Sequence, residues 1–220
     1  MTRVAELCAG YGGLALSLQA AGVPVDLAWY AETDPDASAV LAHHHPGVQN
    51  LGDITTADFT AAGPVDVLAA GFPCQDTSLA GVRRGIADGT RSGLWLHVAR
   101  AIEALRPPLV FLENVEGLLS ARADSHLEPC AWCVGDDPGQ HVLRALGAVL
   151  GDLATLGFDA EWTTVAASDV GAAHRRNRVF ILAWPADSEG HGLGDGWTSG
   201  IAGVPAAAVA SAAADNESKR

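Results

Sequence analysis

The sequence predicts an α/β domain on a mostly parallel sheet, and three observations predict it. Short β-type apolar runs alternate with segments whose apolar residues recur every three or four positions. Glycines stand where helical segments should stop, at Gly22 and Gly157. The first run opens directly into a glycine turn, Ala9-Gly10-Tyr11-Gly12-Gly13, which begins a helical segment. Alternating strands and helices cover both faces of a parallel sheet, and ligands then sit at the carboxyl ends of its strands.

Taken in order, the strands are Val4 to Leu7, Leu27 to Ala31, Val65 to Ala70, Leu109 to Leu112, Trp162 to Ala166 and Val179 to Ala183. Each is a run of apolar residues of strand length. Between them the three-to-four spacing gives helices at Gly13 to Ala21, Pro35 to His44, Leu94 to Leu105 and His141 to Leu156. The stretch 120–140 is irregular and reads as a surface insertion. From residue 185 to 220 the chain turns Gly-, Ser- and then Ala-rich, as a linker or tail does. One domain over residues 1–184 follows.

Composition narrows the function. The 220 residues hold 13 Lys and Arg against 26 Asp and Glu, a net charge of −13, with 49% hydrophobic and 18% charged residues. A disordered chain or a basic nucleic-acid arm is thereby excluded. No stretch approaches the length of a membrane span, and the first residues lack a secretion signal, so a cytoplasmic protein is expected. In that setting Cys8, Cys74, Cys130 and Cys133 are candidates for chemistry or metal binding rather than for disulfides.

Four segments carry candidate chemistry. The turn Gly10-x-Gly12-Gly13, with Glu32 ending the second strand, is a nucleotide-type signature in which glycines admit a ligand and the carboxylate accepts ribose hydroxyls. The later glycine of the dinucleotide pattern is missing, which favours an adenosine ligand without pyrophosphate over a dinucleotide. Read alone, the segment also suits a simple tight turn. Gly71-Phe-Pro-Cys74-Gln75 sets a cysteine just after a buried strand, where it is either a nucleophile or a small core residue. Glu113-Asn114-Val115 brings a carboxyl group to the same edge, as a proton carrier or as a structural cap. His174-Arg-Arg-Asn-Arg178 precedes the last strand, and alternation puts Arg176 and Arg178 on one side; an exposed basic turn is the plain alternative.

In this order the segments resemble the cytosine-5 DNA methyltransferases. The likeness covers roughly residues 3 to 184, and Pro-Cys-Gln followed by Glu-Asn-Val is its most specific part. The resemblance implies a Rossmann-like fold that uses S-adenosylmethionine, held by Leu7, Cys8, Ala9, Gly10, Gly12, Gly13, Glu32, Thr33, Asp53, Ile54, Gly71, Pro73 and Leu94. It implies that Cys74 adds to carbon 6 of a cytosine while Glu113 gives or shares a proton at ring nitrogen 3. Asn114 would hold the loop geometry, and Arg176 would support the carboxyl group and the base, with Arg178 nearby. Carbon 5 then takes the methyl group, and loss of its proton expels the thiolate. The base must leave the stack of double-stranded DNA for this chemistry. Residues 75–93, with Gln75, Ser78, Arg83 and Arg84, would close over it as a mobile loop.

The sequence also departs from the family. His174 stands where Gln is usual, and Cys8 where an aromatic usually stacks on the adenine. After Trp184 nothing resembles a target-recognition domain, and a charge of −13 opposes phosphate binding. The expectation is a partial chain, or one whose missing half comes from a second polypeptide, with poor methylation in isolation. His126, Cys130, Cys133 and His141 have spacing compatible with zinc. Alternatives of function are an RNA (tRNA) cytosine methyltransferase, a catalytically silent cofactor-binding subunit and, further off, a dinucleotide-dependent oxidoreductase.

Overall fold

The computed structural model describes residues 1–72, 94–119 and 145–186. The first strand, β1 (Thr2–Leu7), leads into α1 (Gly13–Ala20), then β2 (Val25–Ala31), α2 (Pro35–His44), the two-residue β3 (Gln49–Asn50) and β4 (Val67–Gly71). The chain continues through α3 (Leu94–Leu105), β5 (Leu109–Val115), α4 (Ala145–Thr155), β6 (Phe158–Ala166) and β7 (Asn177–Pro185). These strands form one seven-stranded sheet in the order β3-β2-β1-β4-β5-β7-β6.

Alternation along the strands feeds two cores, one on each face. Ala5, Leu7, Leu68, Ala70, Val110 and Leu112 point into the cluster shared with Trp95, Val98 and Ile102 of α3 and with Leu146, Val149 and Leu153 of α4. Val4, Val67 and Leu109 point the other way, onto Ala15 and Leu18 of α1 and Leu41 of α2. A sheet covered on both faces follows, as the runs predict.

Local chemistry sets the helix ends. The N-cap Asp34 accepts from the N–H groups of Asp36 (3.0 Å) and Ala37 (2.8 Å), and Pro35 opens α2. Gly12 caps α1 at φ 80°, a left-handed conformation that strains other residues, and a Cβ there would stand 2.9 Å from Leu41 Cδ2 and push that side chain aside. The two predicted stop glycines, Gly22 and Gly157, both have positive φ.

The sequence reading differs from the structure at β7, at β3 and at the start of β6, which begins at Phe158 rather than Trp162. β7 runs antiparallel to both β5 and β6. Only ten residues join β6 to β7, too few for the helical crossover that a parallel return needs, so the strand doubles back. The polar β3 pair lacks any apolar signal. The predicted start of the last helix, 141–144, lies outside the described residues, as do the 120–140 insertion and residues 187–220. Among the described residues no helix is long and apolar enough to cross a membrane.

Candidate active site

The carboxyl ends of β1, β2, β4 and β5 lie side by side, and the reversed β7 brings its first residues to the same edge. On the cofactor side, β1 ends in the buried Leu7, then Cys8 at φ 50°, the buried Ala9 and Gly10 at φ 54°. Neither Gly10 nor Gly13 would bring a Cβ within 4 Å of any atom, so the turn faces open space.

Glu32 ends β2 beneath that space. One carboxylate oxygen accepts from Gly10 N–H at 2.7 Å, and the other from the N–H groups of Thr33 and Asp34, each at 2.8 Å. With about four acceptor sites, the carboxylate keeps capacity for a ligand hydroxyl. Asn50 fixes it from behind: its Oδ1 accepts from Glu32 N–H at 3.1 Å, and its Nδ2 donates to Glu32 O at 3.0 Å. Sequence reasoning missed Asn50, whose only signal is an amide at a polar strand end. Farther out, Asp53 is exposed while Ile54 is buried. The backbone N–H of Thr55, donating at 2.8 Å, holds the Asp53 carboxyl below its usual range. Burial, with the negative charges of Glu32 and Asp53, pushes the half-buried Cys8 thiol up to about 11. This edge is therefore a field that favours cations. Glycines facing open space, a carboxylate with spare acceptor capacity and that field suit S-adenosylmethionine, whose sulfonium is positive.

Toward β5, Gly71 lies between Cys8 and Glu113: a Cβ there would stand 3.5 Å from Glu113 Oε2 and 3.9 Å from Cys8 O. Glu113 Oε1 pairs with Arg178 Nε at 2.6 Å, both side chains about a quarter exposed at 26% and 21%. Arg178, and not Arg176, is the arginine that the structure brings to Glu113. Arg176 is exposed and precedes β7, which begins at Asn177, so the strand alternation expected to align both arginines starts one residue too late. Asn177 Nδ2 in turn donates to Glu116 Oε2 at 2.9 Å, tying β7 to the end of β5.

Asn114, 2% exposed, donates from Nδ2 to Phe72 O at 2.9 Å. Phe72 is the last described residue before the segment that carries Cys74, so Asn114 pins the base of that segment. Phe72 also packs on Trp95 with ring centroids 5.2 Å apart, and Trp95 Nε1 donates to Asp152 Oδ2 at 2.7 Å. The expected site residues Pro73, Cys74, Gln75, Ser78, Arg83 and Arg84, and the zinc candidates His126, Cys130, Cys133 and His141, lie outside the described residues. Leu94 opens α3, half-buried.

The strand order, its single reversed strand and the glycine turn over a carboxylate define a Rossmann-like methyltransferase fold. Residues 2–201 match the C-5 cytosine-specific DNA methylase family, and the chain belongs to it. It is 35% identical over 185 residues to the type II methyltransferase M2.BsuMI of Bacillus subtilis (strain 168), a match covering 82% of this chain and 41% of that protein. It is 42% identical over 127 residues to M.Eco47II of Escherichia coli, covering 57% of this chain and 30% of that protein. Among solved structures, S. pombe Dnmt2 shares the fold with a TM-score of 0.62 at 21% identity, covering 84% of this chain and 51% of that one. The chain thus spans less than half the length of these curated relatives.

Proposed function

We propose that the protein transfers a methyl group to carbon 5 of a cytosine in double-stranded DNA, through a transient bond between Cys74 and carbon 6. The observation that carries this reading is the Glu113–Arg178 pair beside Gly71, which ends β4 next to β1 and its glycine turn and stands three residues before Cys74. Arg178 fixes one oxygen of Glu113, leaving the other, Oε2, to hydrogen-bond at ring nitrogen 3 and share a proton there. Asn114 fixes Phe72 O, and so the start of the segment that presents the thiol. Glu32, Asp53 and the 10–13 turn bind the cofactor. S-adenosylmethionine, when bound, supplies the methyl group. Carbon 5 then loses its proton to a base, and the carbon–sulfur bond to Cys74 breaks.

With a net charge of −13, this chain needs positive surface from elsewhere to hold DNA, and we assign that to a second polypeptide or domain. Zinc at Cys130 and Cys133 rests on spacing alone, and metal analysis of the wild type against Cys130→Ser tests it. The central test is trapping. A duplex carrying 5-fluorocytosine, with S-adenosylmethionine and a recognition module from a relative, should form a denaturant-resistant adduct that Cys74→Ser abolishes. Adduct on a tRNA substrate instead would move the substrate class to RNA, and an adduct that survives Cys74→Ser would refute the thiol's role.

A further inference from the structure

Four amides around the glycine turn are already committed inside the protein. Gly10 N–H donates to Glu32 at 2.7 Å and Gly12 N–H to Ala9 O at 2.8 Å. Leu14 N–H donates to Glu6 Oε1 at 3.1 Å and Ala15 N–H to Glu6 Oε2 at 2.9 Å. Leu14 and Ala15 are the second and third residues of α1. In a strand–turn–helix of this kind their N–H groups, at the positive end of the helix dipole, are where pyrophosphate ordinarily sits.

Here that place is filled from below by a side chain of β1. Glu6 is 2% exposed and has no part in the transfer chemistry described above. Burial pushes its carboxyl group up, against the two amides that pull it down, so the acid is kept there at a cost. The geometry, one N–H to each oxygen, is that of a carboxylate accepting twice.

We infer that Glu6 is a specificity-determining residue: it occupies the N-terminus of α1 as an internal anion, so the pocket accepts adenosines with an uncharged or cationic 5′ group and rejects adenosine phosphates and dinucleotides. The inference rests on the adenosyl-site reading above and states what that site excludes. A ribose on Glu32 with its adenine toward Asp53 and Ile54 directs the 5′ carbon to the Gly10–Gly13 turn. A phosphate arriving there meets committed donors and a buried negative charge. A sulfonium meets the same charge as attraction.

The test compares adenosine with adenosine 5′-monophosphate, which differ only at the 5′ position, by equilibrium dialysis against the full chain, with S-adenosylmethionine as reference. Wild type should bind adenosine at least roughly tenfold tighter than the monophosphate, an effect of the size expected for a partly screened charge pair. Glu6→Gln keeps the volume and removes the charge, and should shrink that ratio by about tenfold, while Glu6→Asp should restore it. Because both ligands are read on one sample, a reduced folded fraction cancels in the ratio. Equal binding of the two by wild type, or a ratio unmoved in Glu6→Gln, overturns the role of Glu6 alone. Failure of wild type to bind adenosine or S-adenosylmethionine at all overturns the adenosyl-site reading, and this inference with it.

Discussion

Glu113 and Arg178 meet on a diagonal across the antiparallel junction of β5 and β7: Arg178 lies opposite Val115, and its Nε reaches two residues back along β5 to Glu113 Oε1 at 2.6 Å. Diagonal neighbours on one face are within reach of long side chains, so the pair depends on the reversed strand and its register. A shift of one residue would turn Arg178 to the opposite face.

Removal of this guanidinium should therefore act on catalysis directly. Arg178→Ala is expected to lower kcat by about 100-fold with a smaller change in KM for S-adenosylmethionine, the size typical of losing one charged group at a reacting centre. Arg176→Ala should cost less than about tenfold, since that side chain is exposed outside the strand. Steady-state methyl transfer to an ordinary cytosine duplex, with a recognition module supplied, measures both.

Asn114 links stability to the thiol segment. Asn114→Ala leaves the carbonyl of Phe72 without its 2.9 Å donor, which should destabilise the fold by about 1–3 kcal/mol. Urea denaturation checks the stability, and a loss of adduct formation larger than the loss of folded protein would separate positioning from folding.

The Cys8 thiol, pushed up to about 11 from an ordinary 9.0, should stay neutral at pH 7. In a variant whose other three cysteines are serine, its iodoacetamide reactivity should still be climbing above pH 10. Glu32→Gln should shift that curve toward lower pH, because it removes a negative neighbour. An acid raised in the folded state contributes stability that is present below about pH 9 and lost as pH rises toward 11, so the denaturation midpoint should fall across that window.

Asp152 holds the indole that backs Phe72. Asp152→Ala removes the acceptor 2.7 Å from Trp95 Nε1 and should cost about 1–3 kcal/mol, leaving a buried donor unpaired. A changed tryptophan emission in the folded variant reports the loss; Asp152→Asn, which keeps an oxygen acceptor, should restore most of it.

Much of this was legible in the sequence because local rules and tertiary packing agree. Pro35 to His44 and Leu94 to Leu105 are helices to the residue: a capping Asp-Pro starts the first, and an apolar stripe buries Trp95, Val98 and Ile102 of the second. Glu32 directly after β2 follows from the strand end alone, whereas β5 runs past its expected end at Leu112 to Val115, so Glu113 sits within the strand. What escaped depends on contacts between distant segments. Glu6 reads as one acid inside an apolar run, and nothing nearby says that α1 folds back over it. Asn50 and Asp152 act on partners 18 and 57 residues away. The choice between Arg176 and Arg178 turned on the residue where β7 begins, and strand boundaries are the weakest part of any pattern reading.

The reversal of β7 also fixes where the polypeptide goes next. Because Glu113 lies opposite Phe180, the exit of β7 at Pro185 is five residues further along, roughly 17 Å from Glu113 at strand spacing and toward the opposite rim of the sheet. Ala186 therefore leaves the sheet at the rim away from Glu113. About five extended residues would span that distance. A reader module joined at that rim would have this distance to bridge, and one that docks at the rim beside Glu113 would not.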